Sequence, residues 1–165
     1  MGLVAYADAS YANDLLTRYS IGGHIVFLAG GPVFWKSKKQ TFTAVSTTEA
    51  EFTNLTPAAQ SLIWINQLMK EYGMEQPKPL LLYTDSDNAR LNVLNPLNGA
   101  RTRNIDVRYK YIIDQVRKGI INLQHLGGDQ MTADGLTKPL EIQKHQRFVK
   151  QLGMVAKRID WLKNG

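Results

Sequence analysis

The chain contains no cysteine among its 165 residues. Disulfides, thiol redox chemistry and thiolate zinc sites are therefore excluded, which fits a reducing compartment such as the cytoplasm or the nucleus. Long apolar runs are also missing: the longest, such as 62–65 and 80–83, fall far short of the roughly 20 residues needed to cross a bilayer. No membrane association is expected. A charged-then-apolar leader is absent, and Tyr6 stands where a myristoylation motif needs Ser or Thr. The chain opens almost directly on a strand, as expected of a domain cut from a longer polypeptide. Internal repeats, low-complexity segments and long linkers are absent, so one domain over 1–153 with a basic tail over 154–165 is expected. Acid is in short supply, with 14 Asp and Glu against 20 Lys and Arg and a net charge of +6. That imbalance suits a polyanionic partner, or simply a soluble basic protein; charge alone leaves both open.

What is present is a clear alternation of strand and helix patterns. Residues 3–9, 19–29 and 32–37 read as strands, with Gly30-Gly31 as a hairpin turn between the second and third. Ser46-Thr47-Thr48-Glu49 has the form of a capping box that opens a helix. The apolar face of that helix runs through Leu55, Ala58, Leu62, Ile65, Met69 and Tyr72, and Gly73 ends it. Pro57 lies inside and predicts a kink. Residues 80–84 form a short buried strand, and helices are predicted over 87–94 and 105–118. A strand over 120–125 and helical stretches over 131–137 and 141–152 complete the chain. This order predicts an α/β fold with a mixed five-stranded sheet, an antiparallel meander extended by parallel strands and flanked by helices. Trp35 and Trp64 are expected in the core, His24 on a strand and His145 on an exposed helix face.

Acidic residues at the ends of these elements carry the chemistry. Asp8 closes Ala5-Tyr6-Ala7-Asp8, and Asp85 follows Leu81-Leu82-Tyr83-Thr84. If these strands are parallel neighbours, both carboxylates emerge at one carboxyl edge, where open α/β sheets place ligands. The helix offers Glu49 or Glu51, which lie about 200° apart around its axis. Glu51 precedes Leu55 by one turn and points to the core. Glu49 shares the polar side with Thr53, Thr56, Gln60 and Gln67 and already serves the cap. Glu51 is the expected site residue. Clustered carboxylates of this kind suit Mg²⁺, and two such ions support in-line attack on a phosphodiester. Spacing alone fits ordinary solvated strand-end and helix-start acids somewhat better.

Longer segments add a resemblance. Tyr6-Ala7-Asp8-Ala9-Ser10, then Gly30-Gly31-Pro32 through Trp35 to Ser37-Lys38-Lys39-Gln40, then Ser46-Thr47-Thr48-Glu49-Ala50-Glu51, resemble the ribonuclease H domain of copia-type LTR-retrotransposon polyproteins. Arg101-Thr102-Arg103, Ile105-Asp106-Val107-Arg108-Tyr109 and Ala133-Asp134-Gly135-Leu136-Thr137-Lys138-Pro139-Leu140 continue it in order. The resemblance implies a ribonuclease H-like fold and a metal site of Asp8, Glu51, Asp85 and Asp134, the last assigned by resemblance alone. It implies hydrolysis of the RNA strand of RNA–DNA hybrids with two Mg²⁺ ions, for which Mn²⁺ is expected to substitute. A reverse transcriptase domain of the same polyprotein is the expected partner; the isolated domain is expected to be a monomer. The runner-up reading is a retired module of this fold that binds nucleic acid or a protein without cutting. The segment 127–132 lacks the His that many ribonucleases H carry there; His125 is expected on a strand, in a structural role.

Two basic groups are expected to hold phosphates without reading sequence. Lys36, Lys38 and Lys39 form one; Arg101, Arg103, Arg108 and Lys110 form the other. Ser10 is expected near the 2′-hydroxyls of the RNA strand, the feature that separates RNA from DNA. Lys144, Arg147 and Lys150, with Lys157 and Arg158 in the tail, either extend the nucleic-acid surface or only aid solubility, the second being the safer expectation.

Overall fold

The computed structural model describes residues 2–96 and 106–155, without the side chains of 106–108. Arg101, Arg103, the Arg108 side chain and the tail beyond 155 lie outside the described residues.

Strands β1 (Leu3–Ser10), β2 (Ile21–Leu28) and β3 (Gly31–Lys39) form an antiparallel meander. Helix α1 (Thr47–Glu71) leads to β4 (Leu80–Thr84), α2 (Asp87–Leu94), α3 (Asp106–Arg117) and β5 (Ile121–His125). Two short 3-10 segments, Gly128–Gln130 and Thr132–Leu136, precede α4 (Ile142–Gln151). The sheet order is β3-β2-β1-β4-β5, with β4 parallel to both β1 and β5. This is the expected mixed five-stranded α/β sheet.

Alternation along the strands fills two faces. Leu3, Ala5 and Ala7 of β1 pack under α1 with Leu55, Ala58, Leu62 and Leu82. Val4 and Tyr6 point the other way, onto Ile25, Phe27, Met131 and Ala133. Helices therefore cover one face, and the 3-10 segment covers the other.

Several local expectations need correction. The hairpin turn is Ala29-Gly30, with φ of 52° and 85°, because Gly31 already pairs with Leu28; two positive-φ residues match the twist of a tight hairpin. The helical stretch expected over 131–137 is the 3-10 segment Thr132–Leu136. Tyr72 caps α1 and is exposed, beyond the end of the apolar stripe. Thr53 and Thr56, expected on a polar face, are buried, because the first half of α1 lies deep against the sheet and the segment after β3. The helix continues through Pro57 without ending. Its packing through Leu55, Ala58, Ala59 and Leu62 offsets a cost of roughly 3 kcal/mol. Trp35 and Trp64 are not core residues, at 62% and 56% exposed. Trp35 stands on an edge strand, and Trp64 follows Leu62 by about 200° around the helix, onto the outer face. His24 lies on β2 and His145 on α4, as expected. Among the described residues no helix is long and apolar enough to cross a membrane.

Candidate active site

Parallel pairing of β1 with β4 sets Ala7 opposite Thr84, so the next residues, Asp8 and Asp85, emerge together. Asp85 directly follows β4, whereas Asp8 lies within β1, two residues before its end. Glu51 descends from the first turns of α1, where the Ala9 N–H donates to its Oε1 at 3.1 Å. Glu49 is occupied elsewhere. The Ser46 hydroxyl accepts from the Glu49 N–H at 3.1 Å, and Glu49 Oε2 accepts from the Val45 N–H at 2.5 Å. The box thus closes one residue before the cap, and the helical phase distinguishes the two glutamates as expected.

Asp8, Glu51 and Asp85 each offer an oxygen, and these oxygens all lie within 4.8 Å of one another. Asp8 and Glu51 are 3% and 8% exposed, an arrangement that costs free energy unless the charges are relieved. Burial first, then Asp8 and Asp85, pushes the Glu51 carboxyl up to about 9. Burial also lifts Asp8, to about 6, against the opposing pull of a Thr137 hydrogen bond. Asp85 is raised by burial and then by Asp134. The second Glu51 oxygen, Oε2, is buried without a hydrogen-bond partner. A buried oxygen left unpaired beside two carboxylates is the donor set that a hard divalent cation completes.

Asp134 stands at the rim rather than in this group of three. Its Oδ1 lies 2.5 Å from Lys138 Nζ, and it shares with Asp85 the wall of a cavity of about 250 Å³. Lys144 and Arg147 of α4 line the same cavity and so face the acidic edge. His125 ends β5 and its Nε2 lies 3.1 Å from the Asp85 carbonyl, which supports the backbone at the site. Ser10 is half-buried at the end of β1, Lys36, Lys38 and Lys39 lie on β3, and Lys110 lies exposed on α3.

Three residues at the site escape a reading of the sequence alone. The Thr137 hydroxyl donates to Asp8 Oδ2 at 2.5 Å, across 129 positions of chain. Burial disfavours the charged Lys138 ammonium, but the hydrogen bond to Asp134 and the charges of Asp134, Asp8 and Asp85 outweigh it and hold it protonated to higher pH than usual. Asn54 Nδ2 donates to the carbonyls of Asp8 and Gly23 at 2.8 Å each, joining α1 to both central strands. The i,i+4 step from Asp134 to Lys138 is a legible pairing signal, but nothing local ties Thr137 or Asn54 to Asp8.

No protein-family profile matches the chain. It is 34% identical over 155 residues to the retrovirus-related Pol polyprotein from transposon RE2 of Arabidopsis thaliana, covering 94% of this chain and 11% of that polyprotein. The corresponding polyprotein from transposon TNT 1-94 of Nicotiana tabacum is 34% identical over 152 residues, covering 92% and 11%. The chain thus spans about a tenth of the length of these relatives. Among solved structures, LC11-RNase H1 from a compost metagenome superposes with a TM-score of 0.60 at 15% identity, over 92% of this chain and 98% of that one. The N-terminal RNase H domain of Rv2228c from Mycobacterium tuberculosis gives 0.61 at 12% identity, over 92% and 96%. The foamy viral protease-reverse transcriptase in complex with RNA/DNA hybrid gives 0.60 at 18% identity, over 82% of this chain and 19% of that one. The chain therefore has the ribonuclease H-like fold and is homologous to a segment of copia-type retrotransposon Pol polyproteins.

Proposed function

We propose that the chain is a ribonuclease H that hydrolyses the RNA strand of RNA–DNA hybrids during reverse transcription of a retrotransposon. The observation that carries this reading is the trio Asp8, Glu51 and Asp85, with oxygens within 4.8 Å and a buried Glu51 oxygen left without a partner. The hybrid bound by the foamy viral relative of this fold supports the substrate class.

Asp8, Glu51 and Asp85 would hold divalent magnesium, and Asp134, freed from Lys138, would help hold a second ion. When bound, such ions supply an activated water and neutralise charge on the leaving oxygen. The chain's own residues prepare the site. Thr137 fixes one Asp8 oxygen, Ala9 fixes one Glu51 oxygen, and Asn54 fixes the strand that carries Asp8. Burial raises the Glu51 carboxyl to about 9, so a cation bound there would displace its proton. Lys138 supplies a cation at the rim, where a phosphate would enter. Ser10 and the β3 lysines, with Lys110 and the arginines at 101, 103 and 108, would hold the hybrid backbone. A reverse transcriptase domain is the partner that the Pol relatives point to, and the cytoplasm is the proposed location.

The test is cleavage of an end-labelled RNA–DNA hybrid by the chain with and without Mg²⁺. Cutting of the RNA strand, absent on duplex DNA and lost by at least a thousandfold in Asp85→Asn, is expected from removal of a group that acts in the transition state. Intact hybrid at excess protein and Mg²⁺ would favour a binding module that has lost its chemistry.

A further inference from the structure

Away from the carboxylates, a second cavity has the opposite charge. It measures about 240 Å³ and opens between β2, β3 and the first half of α1, lined by Lys36, Lys38 and Lys39 among hydroxyl and amide side chains. No aspartate or glutamate lines it. The strand period explains its composition. His24 pairs with Lys36 and Gly22 with Lys38, so both lysines share the sheet face on which Phe34 meets the core. Two positions apart on a strand, they project side by side, roughly 7 Å apart along the backbone.

Its floor carries no charge to compete. His24 is buried and its Nε2 lies 3.0 Å from the Ser61 hydroxyl. Burial, then the nearby Lys36, lowers its pKa to about 4, so it is neutral at pH 7. Lys39 is already engaged, paired with Asp14 at 3.1 Å. Among the described residues neither Lys36 nor Lys38 makes a salt bridge. Asn54 closes the inner end and so reaches both sites: Glu51 and Asn54 lie one turn apart on α1.

The geometry points to a phosphate seat: this cavity holds one phosphodiester of a nucleic-acid backbone between Lys36 and Lys38, back to back with the carboxylate site through Asn54. The inference rests on the reading that the chain acts on nucleic acid, and it narrows the expected contact from three exposed lysines to the two that share one side of this cavity. Lysine serves such a site as a point charge and reads no sequence. The 240 Å³ volume holds a hydrated phosphate comfortably, since one water occupies about 30 Å³ of liquid.

The experiment is a salt titration of hybrid binding, read by fluorescence anisotropy in EDTA so that nothing is cut. Lys36→Gln with Lys38→Gln is expected to weaken binding at least tenfold and to reduce the log–log salt slope by about 1 to 2. Lys70→Gln with Lys78→Gln removes the same charge from lysines that flank Glu75 and is expected to change affinity less than threefold. Gln60→Glu, which adds a carboxylate to the cavity wall, is expected to match the Lys36/Lys38 loss. Equal effects of the two lysine pairs, or wild-type binding by Gln60→Glu, would overturn the seat. Hybrid bound in this pattern but never cut would defeat the cleavage reading alone; hybrid cut by a chain whose variants keep the wild-type slope would defeat the seat alone.

Discussion

A carboxyl group buried like Glu51, with Asp8 and Asp85 against it, holds its proton well past neutrality. Its ordinary value near 4.5 rises to about 9 on folding, and that of Asp8 from 3.8 to about 6. Both shifts are upward, so the folded chain binds more protons than the unfolded chain across this range, and stability falls as pH rises. The contribution is complete below about pH 4 and is lost progressively through the folded values. Metal-free chain should therefore gain thermal stability from Glu51→Gln at pH 8 by several degrees, a gain that shrinks toward pH 5. The same substitution should flatten the rise in melting temperature that Mg²⁺ gives the wild type, because a ligand held only by the folded form stabilises by mass action. Circular dichroism melts at the two pH values check both; a Glu51→Gln chain less stable than wild type at pH 8 without metal would contradict the electrostatic account. At this scale the sequence discloses what periodicity can reach. Glu51 follows from helical phase and Asp85 from strand-end position, whereas Thr137 and Asn54 depend on contacts across 129 and 46 residues.

Elements hold these residues through a few close approaches. Gly22 on β2 is the tightest: a Cβ there would lie 2.6 Å from Asn54 Oδ1. Gly22→Ala must displace the Asn54 amide, and with it the hydrogen bonds to the Asp8 and Gly23 carbonyls, at a cost of about 1–3 kcal/mol. A fall in melting temperature on the order of 5 °C is expected, with slower hybrid cleavage. Gly31→Ala is the control, since its nearest neighbour atom lies 3.9 Å away, and it should melt within about 2 °C of wild type. The strands and long helices were readable because their patterns run over many residues. Other details depend on neighbours that a local pattern does not reach. Pairing of Gly31 with Leu28 moves the turn to Ala29-Gly30. Trp35 and Trp64 look like core residues in any local window; only the sheet order and the rotation of α1 show that they stand outside.

For the whole molecule, a net charge of +6 surrounds a small acidic centre. On the proposed reading, cations on β3 and α4 would attract any nucleic-acid backbone, while cutting would need metal at the carboxylates. Affinity and cleavage should therefore separate. Unlabelled duplex DNA of equal length should displace a labelled hybrid in EDTA within about tenfold of hybrid itself, since backbone charge dominates such binding, yet remain uncut when Mg²⁺ is added. Preference of more than a hundredfold for hybrid in metal-free competition would show that groove shape already discriminates at the binding step. Position in the sheet gives β3 a further consequence. As the outermost strand beside β2, it presents one rim of backbone that another chain's strand could join. Pro32 removes a donor there, and Lys36, Lys38 and Lys39 crowd like charge along it, the combination that discourages edge-to-edge growth into fibrils. Neutralising those lysines would strip that guard and invite aggregation at the concentrations used for crystallisation.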